Sequence, residues 1–225
     1  MDTGADLDTV RERLVFANAY LGARPIAQAL AQGADIVITG RVADAALFLG
    51  PLLHELDWAS DDWDRLAQGV TVGHLLECSG QGSGGNFGAA GVWQRVPDWT
   101  HMGYPIAEVR ADGHVTITKA PGTGGRVNFH TVRQQLLYEV HNPHRYITPD
   151  VVLDMGELEL IDEGHDRVQV RGARGHAAPA QLKLVAGYQD GWMGHCVVGF
   201  CWPDAMAKAQ AVAASIQTQL QEKRM

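Results

Sequence analysis

The sequence predicts an α/β fold with two parts. A parallel or mixed sheet with flanking helices comes first, followed by an α+β lobe of antiparallel strands and a C-terminal helix. Three observations carry this. Residues 35–40 (DIVITG) form a short β-branched run between two segments of helical periodicity. Residues 106–118 alternate with period two around the turn Ala111-Asp112-Gly113. After residue 151 strand-like runs dominate until an alanine-rich helix closes the chain. The expected division is an α/β part over 1–145 and an α+β lobe over 146–225 packed on it.

Taken in order, residues 8–17 carry Val10, Leu14 and Ala17 on one helical face behind Asp and Thr capping candidates, which predicts a short helix. A second helix is expected over 25–32, opened by Pro25 and stopped at Gly33. The run 35–40 reads as a buried strand that turns directly into an apolar helix from Asp44, bent or broken near Gly50-Pro51. Residues 61–78 form a longer helix, with Trp63, Leu66, Val70, His74 and Glu77 at spacings of three or four. It delivers its last turn into the glycine-rich stretch Gly80-Gln-Gly-Ser-Gly-Gly-Asn86. A hairpin pairs 106–109 with 115–118, and helical periodicity returns over 129–140 behind Pro121-Gly-Thr-Gly-Gly125. Strands are expected at 157–161, 167–170, 181–188 and 196–200, then a helix over 204–221.

With 225 residues the chain can bury a core without disulfide or metal support. No apolar run approaches the length of a membrane span, and the acidic N-terminus lacks the basic and apolar regions of a signal peptide, so a cytoplasmic location is expected. Cys78, Cys196 and Cys201 have no paired spacing, which indicates free thiols. A formal charge of −8 without a basic cluster argues against nucleic acid and anionic membrane, both of which bind by neutralising phosphates. The partner expected is a small molecule or another protein. No cofactor is singled out.

In an α/β layer, ligands gather at the carboxyl ends of strands, which selects Thr39, Gly40, Arg41 and Asp44. Gly40 would let the backbone approach a ligand, Arg41 would grip a carboxylate or phosphate with two prongs, and Asp44 would cap the next helix or orient Arg41. The stretch of Gln81, Ser83, Gly84, Gly85 and Asn86 lacks the lysine of a Walker loop and the preceding strand of a dinucleotide fingerprint. Its successive N–H groups could still cradle an anion. The loop Gly122, Thr123, Gly124 and Gly125, ahead of a helix start, repeats that device. His74, Glu77 and Cys78 share one helical face. Without a fourth ligand they make a weak metal site, and Glu77 beside Leu75 and Leu76 reads better as a general acid or base, with His74 as its partner. A tight turn, a flexible connector and a packed helix end are the structural alternatives.

The segments ANAYLGARPI (17–26), GADIVITGRVADAALFLGPLLHE (33–55), GHLLECSGQGSGGNF (73–87), GYPIAEV (103–109) and KAPGTGGRVNFHTVRQQLLYEVHNP (119–143) resemble, in order, successive motifs of the acyclic terpene utilisation AtuA family. Two details depart from the family pattern, Cys78-Ser-Gly-Gln81 for Cys-Gly-x-Gln and Ser83-Gly84-Gly85 for Thr-Gly-Gly. Family members usually carry a further α/β region ahead of the first motif, so the resemblance implies a partial member with an unpaired sheet edge that favours a homo-oligomer or a partner chain. It implies a branched acyl-CoA or carboxylate substrate and acid/base chemistry of hydratase or lyase type. A non-catalytic binding or assembly subunit, or an inactive fragment, is the alternative.

Overall fold

The structure is a computed structural model that describes residues 6–88 and 95–223. The chain divides into two compact units, residues 14–187 and a smaller one made of 1–13 with 188–225.

Within the larger unit, β1 (Leu14–Ala19) belongs to a two-stranded sheet with β9 (Leu184–Tyr188). Three helices follow: α1 (Arg24–Ala31), α2 (Ala46–Leu56) and α3 (Trp63–Leu76). Then come β2 (Pro105–Val109), β3 (Val115–Lys119) and α4 (Phe129–Leu137). The remaining strands are β4 (Tyr146–Ile147), β5 (Val152–Asp154), β6 (Glu159–Gly164), β7 (Arg167–Arg171) and β8 (Arg174–His176). They build a four-stranded sheet, β2-β3-β7-β6, and a three-stranded one, β4-β5-β8. The first takes two strands from each side of position 145.

The mixed α/β class holds, with antiparallel ladders throughout these two sheets. The expected hairpin is β2–β3, pairing Val109 with Val115 and Pro105 with Lys119. Among the described residues the parallel pairings are two isolated bridges, Leu21 with Val42 and Met102 with Gly124.

Three sequence expectations are corrected. Residues 8–17 are not a helix but two 3-10 turns, Leu7–Thr9 and Arg11–Arg13, running into β1. The β-forming pair Val15-Phe16 finds a ladder in β9, and cross-chain pairing overrides a weak local period. Residues 35–40 are not a strand: beyond the single bridge at Val42 no described strand pairs with them, and a β-branched run without a ladder partner remains irregular. Residues 196–200 fail to form a strand for the same reason, with Val197 99% exposed. At Pro51 α2 continues without a break, held between α1 and α3.

The core of the larger unit surrounds α3, which is buried from Leu66 to Leu75. A helix with so little polar face must be enclosed, and α2, α4, β2, β5 and β8 enclose it. Asp62 caps its start by accepting from the Arg65 N–H. Val115, Ile117, Val168 and Val170 seal the sheet side.

In the smaller unit Arg13 lies over the Tyr188 ring at 5.1 Å and pairs with Asp190 at 3.2 Å. Residues 189–200 have no regular structure, and α5 (Ala205–Lys223) buries none of its side chains. Among the described residues no helix is long and apolar enough to cross a membrane.

Candidate functional site

Gly73 decides where the site forms. A Cβ on it would lie 2.6 Å from the Ala45 Cα, so the first turn of α2 rests directly on the α3 backbone. That contact carries Asp44 alongside the last turn of α3, where His74 and Glu77 stand three residues apart.

His74 is 1% exposed. Its Nε2 is 3.2 Å from the Leu136 carbonyl, which can only accept, so Nε2 carries the hydrogen. Nδ1 lies 3.3 Å from Glu77 Oε1, close but without hydrogen-bond alignment. With the hydrogen on Nε2, Nδ1 is a buried acceptor without a hydrogen-bond partner. The Gln135 amide donates to the His74 carbonyl at 2.9 Å and ties α4 to this turn.

Tyr146 covers the pair, its ring 5.5 Å from the imidazole. Burial, with Glu77, Asp44 and Glu139 adding in that order, pushes its phenol up to about 12. It is therefore a neutral hydrogen-bond donor at physiological pH. Burial also raises the Cys78 thiol, with Glu77, Glu139 and Asp44 adding to it against a hydrogen bond from Gln135. This disfavours the thiolate, the form a nucleophilic cysteine needs. Glu139 holds a left-handed backbone, φ 58°, just past α4.

Tyr146 faces a cleft of about 270 Å³. Asp44, Glu139, Tyr146, Tyr20 and Lys183 give it polar lining, while Ala43, Ile147, Pro149 and Leu182 give it apolar lining. The Tyr20 ring is approached by two cations, Arg41 at 5.4 Å and Lys183 at 5.3 Å. Among the described residues no three His, Cys, Asp or Glu side chains are grouped to hold a metal ion.

Of the sequence candidates, Asp44, His74 and Glu77 thus share one neighbourhood, and Arg41 borders it through Tyr20. Thr39 and Gly40 do not line the cleft; a Cβ on Gly40 would meet nothing within 4 Å. The two glycine-rich loops lie elsewhere and pack on each other, with the Arg126 N–H donating to the Ser83 carbonyl at 2.7 Å. Five of the N–H groups expected to cradle an anion are already used. Gly84 and Gly85 donate to Gln81 and Gly80, and Thr123, Gly124 and Gly125 donate to Ala120, His101 and Pro97. The start of α4 is closed as well: Asn128 accepts from His130 and Thr131, and Asp162 accepts from Phe129. An anion would find these donors occupied. Gln81 and Ser83 keep buried polar atoms without a partner, and Asn86 accepts from Gln134.

Sequence reasoning missed Tyr20, Glu139, Tyr146 and Lys183. Glu139 stood inside a recognised segment, at a helix end two residues before HNPH, but nothing local marks its backbone as left-handed.

A mixed α/β protein with a carboxylate-walled cleft beside a buried His–Glu pair is the class these features define. The model of the family described as acyclic terpene utilisation family protein AtuA matches residues 1–225, and the chain belongs to that family. No curated protein and no solved structure matches it.

Proposed function

We propose that this protein is an enzyme of acyclic terpene catabolism that performs acid/base chemistry, of hydratase or lyase type, on a short acyl group presented as a carboxylate or a CoA thioester. The observation that carries this is the buried His74 Nδ1 3.3 Å from Glu77 Oε1, with Tyr146 against the imidazole. Glu77 moves the substrate's proton, and the imidazole, held by the Leu136 carbonyl, stands beside the carboxylate. Tyr146, neutral to high pH, donates to an oxygen of the substrate as charge develops there. A cleft of about 270 Å³ accepts an acyl chain and leaves a CoA nucleotide outside. The test is turnover of short branched enoyl-CoA thioesters, followed by loss of the conjugated thioester absorbance. Glu77→Gln should lower kcat by about 10²-fold or more with the fold unchanged by circular dichroism. Wild-type turnover in that variant would sink the proposal.

A second reading, an assembly subunit, is favoured by Ile36 and Ile38, 81% and 93% exposed on an unpaired β-branched run. Such an edge recruits a strand from a second copy of the chain. Ile36→Lys with Ile38→Lys should then convert a dimer to a monomer in sedimentation equilibrium, while a wild-type monomer would remove this reading.

A further inference from the structure

The cleft brings charges of both signs together. Asp44, Glu139 and Lys183 are among its lining residues, with Tyr20 and Tyr146. Arg41 and Lys183, both exposed, approach the Tyr20 ring at 5.4 and 5.3 Å. Neither cation has a carboxylate within ion-pair distance among the described residues, although the chain pairs Arg11, Arg13, Arg65, Arg110, Arg167, Arg171 and Arg174 with acids. Two unneutralised cations on one ring repel each other, and the ring's negative face offsets only part of that. An anion at the edge of Tyr20 relieves both. Asp44 and Glu139 repel the same anion, which leaves the cations at Tyr20 to hold it, and Ala43, Ile147 and Leu182 of the same lining offer the remainder of the ligand an apolar surface.

Resting on the reading of this cleft as a substrate site, we infer that Tyr20, Arg41 and Lys183 form a clamp for the anionic head of a small substrate, whose apolar chain lies against Ala43, Ile147 and Leu182. The recognised chemistry is one negative head group joined to a short aliphatic tail. A free carboxylate and the phosphates of a thioester's nucleotide are the two sources of such a head.

The test is equilibrium binding by titration calorimetry, separate from any assay of turnover. Isovalerate should bind the full chain, with isovaleramide, of the same shape but uncharged, at least about tenfold weaker. Arg41→Ala and Lys183→Ala should each weaken isovalerate about five- to tenfold, and added salt should weaken it further. Lys183→Gln, which keeps the apolar stem, should behave as Lys183→Ala does. If the head comes from a nucleotide, isovaleryl-CoA binds and isovalerate does not, with the same loss in both variants. Equal binding of the acid and its amide would overturn the clamp, as would isovalerate and isovaleryl-CoA affinities untouched by both cation variants, or no binding of either probe. Inorganic phosphate binding as well as isovalerate would overturn the apolar half of the proposal. The readouts separate the two ideas: loss of turnover in Glu77→Gln with undisturbed binding in the cation variants removes the clamp and leaves the His74–Glu77 chemistry standing.

Discussion

The wall where α2 meets α3 and the margin formed by β1 and residues 35–40 are written in similarly apolar sequence, yet they have opposite fates. At the wall, Ala45, Leu49, Val70 and Leu75 are buried to 4% exposure or less. At the margin, Val15, Phe16, Ile36 and Ile38 are between 52% and 93% exposed. The difference lies in partners, not in hydrophobicity. Helices meet through side chains, and α2 and α3 find each other across a short loop. A β-branched run needs another strand's backbone, and at the margin only β9 and one bridge supply it. The candidate pair His74 and Glu77 lies at the wall, where the packing buries the imidazole.

Paired glycine substitutions break the comparison most sharply. Gly73→Ala drives a methyl into the Ala45 backbone and should cost about 2–3 kcal/mol in urea denaturation, with the α2 turn displaced from His74. Gly40→Ala, at the margin, meets open space and should change stability by less than about 0.5 kcal/mol. Equal effects would mean that the two regions are not packed differently.

Alkaline titration sharpens the description of the cleft. The folded protein holds the Tyr146 proton from the ordinary 10.0 up to about 12, so its contribution to stability is complete below pH 10 and is lost as pH rises toward 12. The loss should be on the order of 2 kcal/mol after allowance for partial exposure. Comparison with Tyr146→Phe isolates it, since the variant's stability should fall less over the same interval. Identical profiles would show that the phenol is not held neutral by the cleft.

The smallest effect expected is a gain. Glu139 pays for a left-handed backbone, and Glu139→Gly should stabilise the fold by up to about 1 kcal/mol in thermal unfolding. Removing one carboxylate beside Tyr146 should also lower the phenol's titration point. Unchanged stability would argue that the strain is offset by the glycine's lost chain entropy.

Much of the helical framework was legible because its signals are local. Pro25 and Gly33 bracket α1, and the spacing of Trp63, Leu66 and Val70 marks α3. His74 and Glu77 were legible as a pair because helix geometry alone puts residues three apart on one face. The glycine loops misled for a physical reason. A run of N–H groups reads the same whether it faces a ligand or the chain's own carbonyls, and here Gln81, Ala120, His101 and Pro97 accept from them.

By itself, then, the sequence determined the mixed α/β class, the positions of α1 to α5, the β2–β3 hairpin and the family to which the chain belongs. Those rest on periodicity, capping and turn chemistry acting over a few residues. Only the tertiary structure decided that residues 35–40 stay unpaired, that β1 replaces a helix, and that Tyr20, Lys183, Glu139 and Tyr146 meet Asp44 around one cleft. Contacts between residues 20, 44, 139 and 183 depend on how helices and sheets close on each other, and no local pattern encodes that closure.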